Sequence, residues 1–443
     1  MAEIIRIKKG LDIPLSGKPS SEVKADNKTT LFAICPDDFP GPVWKAVVKP
    51  GDSVAAGDPL LKDKAYGKIL LVSPVSGTVT EVKRGERRHI DYISIIKQQD
   101  DSNAENRPKA SSPEQIRQAM LESGLWAMMR QRPYDIVPDP EVAPRDIFVT
   151  SFDSAPLAPE MLDAENTKWL EKGLRALAKL TTGKVFLGVK AGSSISSQAA
   201  TVYEFEGPHP AGNVGTQIAA IKPVNKGETV WTLDAVTAAK IGKLCEEGKL
   251  DFSVSVALTG PLVKNPHIVS TFAGAALSGL LDGQLKSDSD IRIISGNVLT
   301  GIKTSKDGFL HYPYRQITVI QEGNHADEFM GWASVSPMKY SVKRSFPAFL
   351  RGLSKPFDFD ARIKGGHRAM ILSGEYDKVF PFDIYPEYLL KAIIAGDIDR
   401  MEKLGIYEVA PEDFALPEFV DTSKIELQKI VREGLDNLRK ELS

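Results

Sequence analysis

Residues 49–90 read KPGDSVAAGDPLLKDKAYGKILLVSPVSGTVTEVKRGERRHI, and they form the centre of the stretch 48–96 that decides the fold. The stretch contains two similar half-units, each of which begins with a turn and continues as a short apolar run. The first turn is Pro-Gly-Asp at residues 50–52, and the second is Ser-Pro-Val-Ser-Gly at residues 73–77. Short runs with β-branched residues at period two, separated by such turns, predict small strands that fold into a compact, flattened barrel.

This pattern resembles the hammerhead, or barrel-sandwich hybrid, of biotinyl and lipoyl carrier domains. Such domains display one modified lysine on a tight hairpin between their two halves. Lys64 lies in an Asp-Lys-Ala sequence with the composition of a lipoyl site, but Tyr66-Gly67-Lys68 follows and lengthens the connection. A modifying enzyme recognises the shape of that hairpin, so the sequence predicts a barrel kept as a structural module. A biotin or lipoate carrier modified at Lys64 is the alternative.

The whole chain has the composition of a soluble globular protein. It has 443 residues, 42% of them hydrophobic and 26% charged, which is room for roughly three domains. The formal net charge of −2 argues against a nucleic-acid partner, which would require a concentrated basic surface. No run approaches the roughly 18 apolar residues of a membrane span, and the N-terminus lacks the apolar core of a signal peptide. We therefore expect a cytoplasmic protein, soluble when isolated, that reaches a membrane only through partners.

Cysteine and histidine are scattered along the chain. The two cysteines, Cys35 and Cys245, are too few for an all-cysteine iron–sulfur cluster, which needs four thiolates. Two isolated thiols are typical of a reducing compartment. No histidine stands in an HxxxH or HxxE arrangement, so the sequence predicts no metal site. The histidines are His89, His209, His267, His311, His325 and His367.

Shifts in composition divide the chain into five segments. We expect a hammerhead domain over residues 1–100, completed by strands at residues 4–7 and 31–34. A polar linker over residues 101–112 follows. The remaining segments are a Rossmann-like α/β domain over 113–252, a β-grasp domain over 253–330, and a C-terminal domain over 331–443 that opens irregularly and ends in helices.

The Rossmann-like prediction rests on a strand–helix–strand order. Ser112 is a candidate helix N-cap. Residues 146–150 read as a buried strand, 169–180 as an amphipathic helix and 184–189 as a second strand, which predicts a parallel α/β unit. The chain reads TSFDSAP after Val149, without the glycines of a dinucleotide-binding loop.

The β-grasp prediction rests on strands separated by a turn and a short helix, between residue 251 and the strand at 314–320. Near the C-terminus, residues 386–395 and 423–442 have apolar residues at helical spacing, which predicts a small helical cap.

An unlabelled hammerhead, an α/β domain without its glycines, a β-grasp and a helical tail together resemble one family, the A subunits of sodium-translocating NADH:quinone reductases. The likeness runs over essentially the whole chain. It is carried by seven stretches in the order of the family: IKKGLDIPLSGKP, SPVSGTVTEVKRGERR, ESGLWAMMRQRPY, LTTGKV, GPHPAG, RIISGNVLTG and YDKVFPFDIYPEYLLKAIIAGD.

The resemblance implies a peripheral subunit on the cytoplasmic face of the bacterial inner membrane, in a complex that passes electrons from NADH to quinone and exports sodium ions. Related flavoprotein subunits hold FMN and NADH on a glycine-rich loop and a cluster in the helical tail. Here the corresponding loop is residues 123–130, bulky where backbone must approach phosphate, and the tail from Asp397 has no cysteine. The resemblance thus implies no flavin, NADH site or cluster in this protein, with FMN, FAD and Fe–S centres on partner subunits.

Quinone binding, partner docking, or both remain as roles for such a protein. A quinone requires an apolar slot, aromatic side chains against its ring and a donor near each carbonyl oxygen. Candidates for these roles are Trp126, Met129, Arg130, Arg132 and Tyr134. The alternative is that Trp126 and the methionines belong to the core while the two arginines cap a helix C-terminus.

Three residues outside that stretch complete the candidate set. His209, between two prolines, is a possible proton donor; the alternative is a loop histidine bonded to backbone. Phe32 and Phe39 flank Cys35-Pro36 and are candidates for the same pocket or for packing. No catalytic residue is predicted, and a structural adaptor without quinone contact is the alternative function.

Overall fold

The computed structural model describes residues 3–98, 106–324, 335–342, 346–350, 352 and 355–442. Within these ranges the strands assemble into two six-stranded sheets, one four-stranded sheet and one three-stranded sheet. His325 and the first five residues of the predicted linker lie outside the described residues.

Two small antiparallel sheets form the barrel at the N-terminal end. One has the order β3-β9-β8-β5 and the other β4-β6-β7. Their facing apolar side chains, among them Leu60, Leu61 and Ile93, are fully buried. The strands in chain order are β1 (Glu3–Arg6), β2 (Val23–Ala25), β3 (Leu31–Ile34), β4 (Trp44–Ala46), β5 (Ser53–Val54), β6 (Pro59–Asp63), β7 (Leu70–Val72), β8 (Gly77–Arg84) and β9 (Ile90–Lys97).

The connection that would display a carrier lysine is a wide loop held by Asp63. This buried carboxylate accepts hydrogen bonds from the amides of Tyr66 at 2.6 Å, Gly67 at 3.1 Å and Ile69 at 2.7 Å. The loop also docks on the next domain, because Lys68 forms an ion pair with Glu141 at 2.7 Å. A loop fixed in this way differs from the short free hairpin that a modifying enzyme requires.

The first strand does not belong to the barrel, which corrects the prediction for residues 4–7. Strand β1 pairs in parallel with Thr201–Glu206 of the α/β domain. The physical reason is burial: Ile7, just after β1, packs against Phe205 and Ala211. Strand β2 likewise leaves the barrel and pairs in parallel with His267–Phe272. The predicted strand at residues 31–34 does belong to the barrel.

The α/β domain is a mostly parallel sheet flanked by helices. Its order is β1-β13-β12-β11-β14-β10, in which only β10 is antiparallel to its neighbour. The chain adds β12 and β13 on one side of β11 and then crosses to β14 on the other. The elements are α1 (Pro113–Glu122), β10 (Arg130–Arg132), β11 (Asp146–Thr150), α2 (Ala164–Ala178), β12 (Val185–Lys190), β13 (Thr201–Glu206), α3 (Val214–Ile221), β14 (Val230–Asp234) and α4 (Ala235–Glu247).

Local sequence accounts for these helix positions. Ser112 forms the predicted N-cap of α1, with a capping box completed by Gln115. Helix α2 begins earlier than predicted, because the Asp163 side chain accepts a hydrogen bond from the Asn166 amide at 2.7 Å. Helices α2 and α4 cross closely at Gly173, where an added Cβ would lie 1.7 Å from the Ala238 carbonyl oxygen.

The third region contains a mixed sheet of order β18-β17-β19-β15-β16-β2. Strands β15 and β19 are parallel at its centre, and β15 and β16 form an antiparallel pair. The elements are β15 (Ser253–Thr259), β16 (His267–Phe272), α5 (Leu277–Leu280), β17 (Ile291–Ser295), β18 (Ile302–Thr304) and β19 (Gln316–Gln321).

The C-terminal region is helical, as predicted, and has its own apolar core. Helix α9 begins four residues later than predicted and buries one face through Leu427, Val431, Leu435 and Leu438. The helices are α6 (Pro386–Ala395), α7 (Ile398–Lys403), α8 (Ala415–Val420) and α9 (Leu427–Leu442). None of the helices in the described ranges has the length and apolar character required to cross a membrane.

Candidate functional site

Two adjoining cavities, of about 460 and 1060 Å³, lie where the barrel, the α/β domain and the third region meet. Both are lined by Asp38 of the barrel, Met128 of the α/β domain and Tyr312 of the third region. The smaller cavity also reaches the ends of β11 and β14, at Thr150 and Asp234. Between these two strands the order of the sheet reverses, and open α/β sheets bind ligands at the carboxyl ends of strands at such a point.

An aromatic wall borders the cavities: Tyr312 lines both of them, and Phe39 lines the larger one. The rings of Phe39 and Tyr312 stack, with centroids 5.2 Å apart and an interplanar angle of 13°. The Arg130 guanidinium lies over the Tyr312 ring, 5.4 Å from its centroid. Tyr312 is held at both ends, because its hydroxyl donates to the Met128 carbonyl and its amide donates to Asp38 at 2.9 Å. The result is a fixed flat surface with a cation beside it.

Arg315, which lines both cavities, provides a second fixed cation. Its guanidinium forms an ion pair with Asp234 at 2.8 Å. Burial alone would raise the pKa of Asp234, but the Arg315 charge and a hydrogen bond from the Thr237 amide hold that pKa below its usual value. Asp234 also caps helix α4 through this bond, at 2.7 Å. Both groups therefore stay ionised. Arg315 lines both cavities, and its remaining N–H groups can donate to a ligand there.

Arg132 joins the sheet edge to the C-terminal region rather than capping a helix. Its side chain is fully buried and lies 2.7 Å from Asp413 and 2.9 Å from Glu412. The Asp413 side chain is fully buried, whereas that of Glu412 is partly exposed. Burial raises the pKa of Asp413 despite the opposing Arg132 charge. The Arg132 contact is chiefly structural, although its side chain borders the smaller cavity.

His209 borders the smaller cavity but is buried and neutral. Its Nδ1 lies 3.0 Å from the Ser154 hydroxyl, and its backbone amide donates to Asp12 at 2.9 Å. Burial lowers the pKa of His209 to about 4. An imidazolium at this position would exist only in acid solution. The burial of His209 therefore gives no support to its predicted role as a proton donor near neutral pH.

The other candidates from the sequence lie outside both cavities. Trp126 and Met129 are completely buried, and the Trp126 indole donates to the Pro138 carbonyl at 2.9 Å. Phe32 is buried with its ring against Phe272. Tyr134 packs at the edge of the C-terminal core. Of the eight candidates, Arg130, Arg132 and His209 line the smaller cavity and Phe39 the larger one.

Four residues of the site, Asp38, Asp234, Tyr312 and Arg315, were not predicted from the sequence. One signal was present: residues 311–315 read HYPYR, an aromatic and basic run before a strand. Arg130 combines features of both interpretations, because its guanidinium donates to the carbonyls of Ala127 and Met129 at 3.0 Å and also lines the smaller cavity.

Lys240 on α4 is a buried cation in the wall of the larger cavity. Its ammonium donates to the Ser253 carbonyl at 2.6 Å. Burial lowers the pKa of Lys240 to about 8, although the charge of Asp251 opposes this shift. Between pH 8 and the ordinary lysine pKa of about 10.5, the unfolded chain holds a proton that the folded chain has released. The free energy of unfolding therefore rises with pH across this interval.

We expect the Lys240→Met variant to lack this rise. Its stability relative to wild type should fall by on the order of 2 kcal/mol as the pH increases from 8 to 10, because only wild type releases this buried charge. Urea denaturation at a series of pH values measures the difference. The matched control is Lys179→Met, since exposed Lys179 also donates to a backbone carbonyl, that of Ser111 at 2.8 Å. A pH-independent difference for Lys240→Met would contradict the assignment.

The chain matches three family models in succession. These are described as the NqrA N-terminal barrel-sandwich hybrid domain over residues 5–98, the NqrA second alpha/beta domain over 111–250, and the NQRA C-terminal domain over 255–306. The first two confirm the predicted barrel and α/β domain. The solved structure of an NAD+-reducing [NiFe]-hydrogenase in the H2-reduced state aligns over 75% of this chain and 62% of its own, with 12% identity and a TM-score of 0.35, too low to support an argument.

Full-length relatives carry one name, that of the A subunit of Na(+)-translocating NADH-quinone reductase. The protein of Hahella chejuensis is 38% identical over 99% of this chain and 100% of its own length. Those of Pasteurella multocida and Rhodopirellula baltica are 37% and 36% identical over 99% of this chain, and over 100% and 98% of their own lengths. Identity at this level along the whole chain confirms the resemblance seen in the sequence. The chain belongs to the NqrA family, the A subunits of the Na(+)-translocating NADH-quinone reductases.

Proposed function

We propose that the chain is the peripheral A subunit of a sodium-translocating NADH:quinone reductase, on the cytoplasmic face of the bacterial inner membrane, and that its two cavities bind quinone. The main support for quinone binding is the aromatic wall of Phe39 and Tyr312, with the cations of Arg130 and Arg315 beside it. A quinone ring is flat and apolar, and its two carbonyl oxygens accept hydrogen bonds. The wall offers a stacking surface and donors in one place.

The volumes and linings support this proposal. Volumes of about 460 and 1060 Å³ match those of small-molecule sites. The headgroup would lie in the smaller, more charged cavity. The larger cavity has apolar side chains suited to an isoprenoid tail, among them Ile34, Leu162, Ile195, Val236 and Leu310. Met128 and Met161 line both cavities and can adjust to either part of the ligand.

We further infer that this protein holds no flavin and no iron–sulfur cluster, and that FMN, FAD and Fe–S centres belong to partner subunits of the membrane complex. Two observations support this. The two cysteines lie far apart in sequence, and residues 150–156 at the switch point lack the glycines of a dinucleotide loop. We also assign the α/β domain as Rossmann-like from its parallel order, and the third region as a β-grasp from its central parallel pair.

Tryptophan fluorescence tests quinone binding. Trp44 contacts Phe39 edge to face, with centroids 6.5 Å apart, whereas Trp126 is packed against Trp231 in the core. We expect a short-tailed quinone to quench Trp44, so that titration of the isolated chain yields a saturable signal. Trp44→Phe should lose most of this signal, while the control variant Trp126→Phe keeps it.

A saturable signal that survives in Trp44→Phe and disappears in Trp126→Phe would place quinone elsewhere. The absence of any binding by calorimetry would favour the second candidate, a structural adaptor without quinone contact.

A further inference from the structure

Cys35, Asp38 and His311 bring a thiol, a carboxylate and an imidazole together on the wall of the larger cavity. One ligand atom from each residue lies within 4.8 Å of the other two. Cys35 and Asp38 come from the barrel, and His311 precedes strand β19 of the third region. The cluster lies at a domain junction and borders the aromatic wall, because the Asp38 backbone carbonyl accepts a hydrogen bond from the Arg130 guanidinium at 2.6 Å.

The local backbone explains why Cys35 and Asp38 meet. A single 3-10 turn, Pro36–Asp38, follows Cys35, and the Asp38 amide donates to the Cys35 carbonyl at 3.2 Å. Side chains three residues apart are eclipsed in a 3-10 turn, so both point to the same side. His311 completes the group from the third region, with its Nδ1 2.8 Å from an Asp38 oxygen.

Additional hydrogen bonds fix the orientation of Asp38 and His311. The other Asp38 oxygen accepts from the Tyr312 amide at 2.9 Å. The His311 amide donates to the Ser295 hydroxyl at 2.9 Å. Such outer contacts orient the side chains of metal sites and hold them ready for an ion. The nearby carboxylates of Asp37 and Asp91 add negative charge around the thiol, which favours a cation.

The donor set matches a borderline-soft divalent ion. Zinc binds thiolate at about 2.3 Å and imidazole or carboxylate at about 2.0–2.2 Å, usually with tetrahedral geometry. These bond lengths place ligand atoms roughly 3.5 Å apart, so small side-chain rotations close the cluster on an ion. Three protein ligands beside a cavity leave the fourth position for water or another small ligand.

We propose that Cys35, Asp38 and His311 form a binding site for one divalent cation of the zinc class, with its fourth position open to the larger cavity. Binding releases the thiol proton to solvent. His311 ligates through Nδ1 as the neutral imidazole with its proton on Nε2, and a second ring proton, where present, also leaves to solvent. The hydrogen bond between His311 and Asp38 is thereby replaced by one bond from each residue to the ion. This proposal departs from the sequence prediction of no metal site, which relied on short spacings between histidines along the chain. It does not depend on quinone binding.

Cobalt(II) is a direct probe, because it takes the place of zinc and reports thiolate coordination by absorption. The full chain is treated with a chelator and titrated with Co²⁺. We expect a thiolate-to-cobalt charge-transfer band and the visible bands of tetrahedral Co²⁺, both saturating at one ion per chain and bleached by added Zn²⁺.

Substitutions assign the ligands. Cys35→Ser should abolish the charge-transfer band, and His311→Gln should keep a thiolate band but weaken the Co²⁺ affinity at least about tenfold. The matched control is Cys245→Ser, which removes the other buried thiol, on α4, and should leave both bands unchanged. Circular dichroism verifies that each variant is folded. The absence of a charge-transfer band in wild type, or its loss in Cys245→Ser but not in Cys35→Ser, would overturn the proposal.

Discussion

Replacement of Arg132 by methionine is expected to destabilise the C-terminal region by about 3–5 kcal/mol, because it leaves the buried Asp413 carboxylate without its cation. Asp413 is completely buried, and one of its oxygens, Oδ1, has no hydrogen-bond partner among the described residues even in the intact chain. The other oxygen depends on Arg132 at 2.7 Å and on the Ala410 amide at 2.8 Å. Removal of the guanidinium would force Asp413 to take up a proton or leave its buried place.

Hydrogen exchange in α9 measures this effect, since α9 packs on the segment that contains Asp413. Local opening can be separated in this way from the unfolding of other domains. The control Arg175→Met breaks an exposed pair with Glu171 at 3.1 Å and should change stability by less than about 1 kcal/mol. The double variant Arg132→Met/Asp413→Asn should recover part of the stability that is lost in Arg132→Met. Unchanged exchange in Arg132→Met would show that Arg132 does not hold the region.

Replacement of Met161 by tryptophan is expected to weaken quinone binding at least about tenfold, or ~1.4 kcal/mol. Met161 lines both cavities, so a larger side chain at this position narrows the passage between the headgroup and tail sites. The volume-conserving control Met161→Leu should bind within about threefold of wild type. Isothermal titration with a short-tailed quinone compares the three proteins.

Met161 is only partly buried and packs beside the main core, so the tryptophan variant should remain folded. Equal affinity in Met161→Trp and wild type would mean that quinone occupies neither cavity.

Periodicity and turn chemistry were sufficient to predict the local elements. The strand Asp146–Thr150 lies where its apolar run placed it, and Ser112 caps α1 as its position before Pro113 indicates. The pairing partners of the strands could not be predicted in this way. Strand β1 could have paired within the barrel on composition alone, but its partner, β13, is brought to it by the fold.

The site was only partly predictable, for a related reason. The stretch 126–130 was predicted from its aromatic, soft and cationic side chains, yet its backbone turns through a 3-10 helix into β10. Met128 and Arg130 face the cavities as a result, while Trp126 and Met129 face the core. Tyr312 and Arg315 enter from another region of the chain, and no local pattern links them to Phe39.

The position of a bound quinone tests the proposed role of the cavities most directly. Crystals of the chain soaked with a brominated short-tailed quinone would locate the ring through the anomalous signal of bromine. We expect a single peak within the cavities, beside the Tyr312 ring and in reach of Arg315. A well-occupied peak outside both cavities, or none at saturating quinone in crystals whose cavities are open to solvent, would contradict the central claim.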